Sequence, residues 1–170
     1  MYSITKIKSL IALLFLIGLS APLSAHMLNE TTAQVILRDG QIEVRIITDM
    51  EHLTENLQND QAWLIGDINK VMPKNLDEQA QLDFIKTSFQ QLMNIQVNQQ
   101  LINFEAATVE DRTINNKKVT EIVLQASHLF TKVNSINVTF PSILGTVHVS
   151  FVKPQYRLLK PGESTNIVFE

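Results

Sequence analysis

The sequence predicts a mainly β protein: an antiparallel, immunoglobulin-like β-sandwich with one helical insertion around residues 49–93. Three observations carry that expectation. Apolar and polar residues alternate on both sides of the insertion, from Ala33 to Ile46 and again from Ile136 to Phe151, which is strand periodicity. Between Asp49 and Met93 the apolar spacing lengthens to that of a helix. The strand-like segments follow one another through short turns, not through regular crossover helices, which favours antiparallel pairing.

The chain opens with an export signal. Lys6 and Lys8 precede an apolar run from Leu10 to Leu19, and the small residues of Pro22-Leu23-Ser24-Ala25 follow. That is the three-part layout of a secretory signal peptide. The run is about ten residues, against the roughly twenty needed to cross a bilayer, so cleavage is expected over permanent anchoring. Cutting after Ala25 makes residues 1–25 the signal peptide and His26 the mature N-terminus. Residues 26–170 then form one domain, about 145 residues long, with material enough for a core.

The first mature element is a hairpin. Asp39-Gly40 suits the positive φ angles of a type I′ turn. A two-residue loop there pairs Leu37 with Ile42, Val35 with Val44 and Ala33 with Ile46 on one face. Gln34, Arg38, Glu43 and Arg45 fall mostly on the other face, so register and alternation agree.

Asp49 then suits the N-cap of a short helix carrying Leu53 and Leu57 on one side. Gln61 to Lys74 reads as irregular, with room for one helical turn, and breaks at Pro73. Asn75 followed by Glu78 resembles a capping box. Leu82, Ile85, Phe89, Leu92 and Met93 keep helical spacing, so a helix is expected from about Leu76 to Met93. Its stripe is expected to lie on the sandwich.

Strand periodicity then resumes. Ile95 and Val97, the polar link Asn98-Gln99-Gln100 and Leu101–Phe104 read as a second hairpin. Asn115-Asn116 turns into Val119–Ala126, apolar on both faces and therefore a central strand. Ile136–Phe140 and Val147–Phe151 each alternate, with Val147 and Val149 inward and His148 outward. Pro161-Gly162 suits a type II turn, and Ile167 and Phe169 read as a last strand.

Composition narrows the function. Hydrophobic residues make up 45% and charged residues 18%, values of a folded globular chain. A net charge of −3 with scattered Lys and Arg argues against nucleic acid and against an anionic membrane surface. The chain has no cysteine, which excludes disulfides, zinc–thiolate and Fe–S sites, thiol catalysis and a lipidated cysteine. An exported chain resting on its core alone suits a bacterial periplasm.

The start Ala25-His26, the hairpin Val35–Asp49, the stretch Phe140-Pro-Ser-Ile-Leu-Gly145 to Pro154 and Pro161-Gly162 together resemble the extracytoplasmic N-terminal region of HupE/UreJ-type membrane proteins. That resemblance implies an exported β domain with a link to nickel handling. It carries over no catalytic motif. This sequence runs to Glu170 without membrane helices, so a transport role is not carried over.

Two constellations bear on chemistry. A mature N-terminal His26 offers its α-amine and its ring nitrogen together, a nitrogen-rich pair that suits copper(II). Periplasmic copper carriers of the CopC type are similar in placing an N-terminal His on a β-sandwich. A partner would come from His52, His128 or His148, with His148 the best placed by alternation, and Met27 is a soft ligand for Cu(I). The metal expectation is therefore His26 with His148, for copper or nickel. The competing reading is a frayed terminus and three ordinary histidines, with no cofactor.

No enzyme is expected, since there is no Gly-x-Ser-x-Gly elbow and no glycine-rich phosphate loop among five glycines. Asp49 with Glu51 and Glu110 with Asp111 read as a helix start and a solvated turn. Trp63 and Phe84 suit ligand recognition or, more commonly at such spacing, the core. The leading expectation is a periplasmic, non-enzymatic accessory domain that binds an envelope protein.

Overall fold

The Asp39-Gly40 hairpin organises the larger of two sheets. In a computed structural model describing residues 31–114 and 116–166, β1 (Thr31–Arg38) and β2 (Gln41–Asp49) pair antiparallel. Leu37 faces Ile42, Val35 faces Val44 and Ala33 faces Ile46, as the alternation requires. Gly40 alone takes a left-handed conformation there, with φ of +74°. The turn is therefore not the expected type I′. Asp39 carries a Cβ and stays at negative φ, leaving the single glycine at the position that a type II turn demands.

The second hairpin shows the opposite. β3 (Asn94–Val97) and β4 (Gln100–Ile102) are joined by Asn98 and Gln99 alone, at φ of 49° and 69°. Both central residues are left-handed, the signature of type I′. Asn98 is held there by its side chain. Its Oδ1 accepts from the backbone N–H of Asn134 at 2.8 Å, and its Nδ2 donates to the Lys132 carbonyl at 2.8 Å.

β5 (Ala106–Ile114), which the apolar alternation does not reveal, pairs antiparallel with β6 (Lys117–Ser127), and Ile114 faces Lys117. β6 also pairs with β2, so it is an interior strand, as its two apolar faces predict. β7 (Ile136–Thr139) joins β3, and β8 (Val147–Val152) lies beside β1. The sheets run β5-β6-β2-β1-β8 and β4-β3-β7.

The fold is thus mainly β with two sheets, yet it departs from an all-antiparallel arrangement at one place. β8 runs parallel to β1, Ala33 beside Val149. A one-turn 3-10 helix at Ser142–Leu144 buries Ile143 and Leu144 just before β8. At the edge of the sheet among the described residues, β8 leaves Val149 and Phe151 more exposed than alternation alone predicts, at 38% and 60%. Ile167 and Phe169 lie outside the described residues.

Among the described residues, each α-helix begins on a side-chain cap. α1 (Met50–Leu57) starts where Asp49 Oδ1 accepts the His52 N–H at 3.1 Å, and it buries Leu53 and Leu57. α2 (Asp60–Leu64) is one turn capped by Asn59 and buries nothing. α3 (Glu78–Leu92) buries Ile85 and Phe89. Its cap is Asp77, which accepts the Ala80 N–H at 2.8 Å, and not Asn75. An ionised carboxylate there bonds the free amides and also meets the positive end of the helix dipole.

One hydrophobic core joins these parts. It holds Val35, Val44 and Ile46 of the hairpin, Ile122 and Leu124 of β6, Ile95 and Val97 of β3, Leu53, Leu57, Ile85 and Phe89 of the helices, and Ile68 and Met72 between α2 and α3. The insertion therefore completes the core that the two sheets share. Among the described residues no helix is long and apolar enough to cross a membrane.

Candidate binding surface

The segment between α1 and α3 is anchored through its backbone and its two buried residues, which leaves a run of apolar side chains outside. Met72 N–H donates to the Leu57 carbonyl at 2.8 Å, and Asp67 N–H donates to the Ala62 carbonyl at 2.8 Å. Ile68 and Met72 enter the core at 2% and 1% exposure. With those positions fixed, the end of α2 turns outward. Trp63, Leu64 and Ile65 stand exposed at 51%, 71% and 73%. Gly66 ends the run at φ of +82°, where a side chain would strain the backbone. Single exposed apolar residues are ordinary, but three large consecutive ones make a contiguous apolar patch.

Two adjoining concavities lie in this region, and Trp63 and Leu64 line one of them. One, of about 450 Å³, is lined by Pro73, Leu76, Phe84 and Leu92 with polar Thr87 and Ser88 at its side. The other, of about 620 Å³, is lined by Trp63, Leu64 and Val71 with Asp60. Asn69 and Lys70 line both. Volumes of this order suit a ligand or an inserted side-chain cluster. Lys70 pairs with no carboxylate among the described residues. Of the two aromatics that suited either recognition or core, Trp63 is on the surface and Phe84 is half-buried along α3.

The histidines separate to opposite ends of the large sheet. Thr32 of β1 faces Ile47 on one side and His148 on the other. The start of β1, the end of β2, the first turn of α1 with His52 and the start of β8 with His148 therefore share one end. His148 is exposed on the face away from the core, as expected. His128 lies at the far end, where its N–H donates to the Gly40 carbonyl at 2.9 Å. Its ring is buried against Phe130, 5.8 Å between centroids, and neither ring nitrogen has a hydrogen-bond partner among the described residues. His26 and Met27 lie outside the described residues. Among the described residues no three His, Cys, Asp or Glu side chains gather as a metal site.

One feature of the outer face escaped the alternation rule. Glu43 and Glu121 are buried to 6% and 5% exposure, not solvated. Arg38 and Arg45 each hold Glu43 at 3.1 Å, while Arg112 holds Glu121 at 2.6 Å and Arg45 reaches Glu121 at 3.5 Å. Burial pushes the Glu43 carboxyl up, but hydrogen bonds from Gln125 and Arg38 outweigh it and hold it below its ordinary value. Hydrogen bonds from Tyr156 and then Glu43 raise the pKa of Arg38 further. Of the carboxylates named from the sequence, Asp49 sits at a helix start as expected, whereas Glu110 and Asp111 lie in β5 and not in a solvated turn. Asp49 caps α1, Glu110 pairs with Arg112 at 3.5 Å and Asp111 accepts from Thr120 Oγ1 at 3.2 Å.

Family models, curated proteins and solved structures contain no match to this chain.

Proposed function

We propose that the chain is an exported, non-enzymatic accessory domain of the bacterial periplasm that binds an envelope protein through the surface around Trp63, Leu64 and Ile65. The observation that carries this reading is the exposure of those three consecutive side chains, two of which line an apolar concavity, on a segment whose backbone is anchored. The signal-like first 25 residues support the location, and the immunoglobulin-like form of the two sheets belongs to the same reading. The test is recovery of a partner from envelope extracts by the mature chain and by the Ile65→Asp variant. A partner held by the first and lost by the folded second supports the reading. Equal recovery by both removes the surface from it.

A second reading has one observation in its favour. His148 lies beside Thr32, at the end of the sheet from which β1 starts. A copper or nickel site formed by His26 with His148 would use that end, and the resemblances to CopC-type and HupE/UreJ-type proteins agree with it. Mass spectrometry of the exported chain should then show His26 as the first residue. One equivalent of Cu(II) should bind with a nitrogen-rich EPR signature, weakening below about pH 6 as imidazole protonates. Equal affinity after one residue is added ahead of His26 would sink this reading.

A further inference from the structure

The two edges of the five-stranded sheet are built differently. β5 carries Glu110, Asp111 and Arg112 in succession, and α3 lies against it. Charges and a covering helix are the usual devices that keep an edge strand from pairing with another chain. β8 has neither device along its own length. Its six residues, Val147-His-Val-Ser-Phe-Val152, include no Asp, Glu, Lys, Arg or Pro, and they are rich in β-branched and aromatic types. No strand follows it in the sheet among the described residues. Phe151 is 60% and Val149 38% exposed, although both lie on the face that Ala33 and Val35 turn to the core.

We propose that β8 pairs antiparallel with β8 of a second copy of this chain, joining two five-stranded sheets across a two-fold axis. The occupant follows from register. A two-fold axis at Val149 sets Val149 opposite itself, Val147 opposite Phe151 and His148 opposite Ser150. Every core-face residue then meets a core-face residue, and Phe151 of each copy covers a valine of the other. A strand paired with itself in this way opposes no like charges, because β8 carries no formal charge. The same operation on β5, centred at Glu110, would set Glu110 against Glu110. This self-pairing is isologous and closes at two copies, so it ends in a dimer and not a fibre. Six residues span only about 20 Å. The interface therefore falls below the standard size of about 1,200–2,000 Å² and is expected to be weak and reversible.

The absence of cysteine makes the test clean. Paired strands place opposed Cα atoms about 4.5–5.5 Å apart, inside the range that a disulfide spans. Under mild oxidation the Val149→Cys chain should form a disulfide dimer rapidly, whereas Thr113→Cys on β5 should not. Sedimentation equilibrium of the unmodified chain should show mass rising with concentration, and Phe151→Lys should weaken association by about tenfold or more. Circular dichroism confirms that each variant is folded. A mass fixed at the monomer up to about millimolar concentration, the range expected for an interface this small, overturns the proposal. So does cross-linking through Val149→Cys no faster than through Thr113→Cys.

Discussion

Arg112 of β5 places its Nε 2.6 Å from a carboxylate oxygen of Glu121 on β6, and this ion pair closes a chain of charges running across the outer face of the sheet. Glu121 is 5% exposed, so its carboxylate depends on Arg112 and, more distantly, on Arg45 for compensation. Replacing Arg112 by Met keeps the stem and removes the charge. Because Arg112 itself is half exposed, the expected loss is about 1–2 kcal/mol, read from urea unfolding. A loss below measurement error would show that Arg45 suffices.

Glu43 makes stability depend on acid. Its folded-state pKa lies below its ordinary value of 4.5, so the unfolded chain takes up the proton first. The stability it contributes is fully present above that ordinary value and is lost as pH falls through the folded value. Glu43→Gln should therefore flatten the acid limb of a stability–pH curve below about pH 4.5 and leave its shape above pH 6 unchanged. An acid limb as steep as that of the parent chain would assign it to other carboxylates.

The start of α3 separates two caps by a simple pair of substitutions. Asp77→Ala should cost about 1 kcal/mol, because the Ala80 N–H loses its acceptor. Asn75→Ala should change stability by less than about 0.5 kcal/mol, since it caps nothing. Chemical denaturation of the two variants side by side decides the point.

Core and surface aromatics should part in the same way. Phe89 is fully buried, and Phe89→Ala is expected to cost about 3–5 kcal/mol. Trp63→Ala should leave stability within about 0.5 kcal/mol of the parent while impairing partner binding. A large stability loss at Trp63 would mean that its ring braces the segment between α2 and α3.

Much of this architecture was legible in the sequence, for local reasons. The first hairpin was readable because one face of β1 and β2 is uniformly apolar, so a one-residue slip would expose Val35, Val44 and Ile46 together. α1 was readable from Asp49 with Leu53 and Leu57, and the Pro161-Gly162 turn from its residue types: Gly162 takes φ of +85° and Glu163 N–H returns to the Lys160 carbonyl at 3.0 Å. β5 was hidden because Asp111 and Thr113 interrupt its inner face while Glu110 and Arg112 put charges on its outer one. The parallel placement of β8 was hidden because order within a sheet is set by packing far along the chain. The burial of Glu43 and Glu121 depends on arginines from three strands, which no local pattern contains. The binding surface was half legible. Trp63 and Phe84 suggested recognition by type, but only backbone bonds from Asp67 and Met72 show why Trp63 faces outward.

Site-specific photo-cross-linking in living cells reads contacts at the Trp63–Ile65 surface itself. A photoreactive residue placed at Leu64 of the exported chain should yield one discrete adduct with an envelope protein. The same residue at Thr113, exposed on β5 and outside the lining of both concavities, should yield none. No adduct at Leu64, or the same adduct from both positions, would contradict a binding surface at Trp63, Leu64 and Ile65.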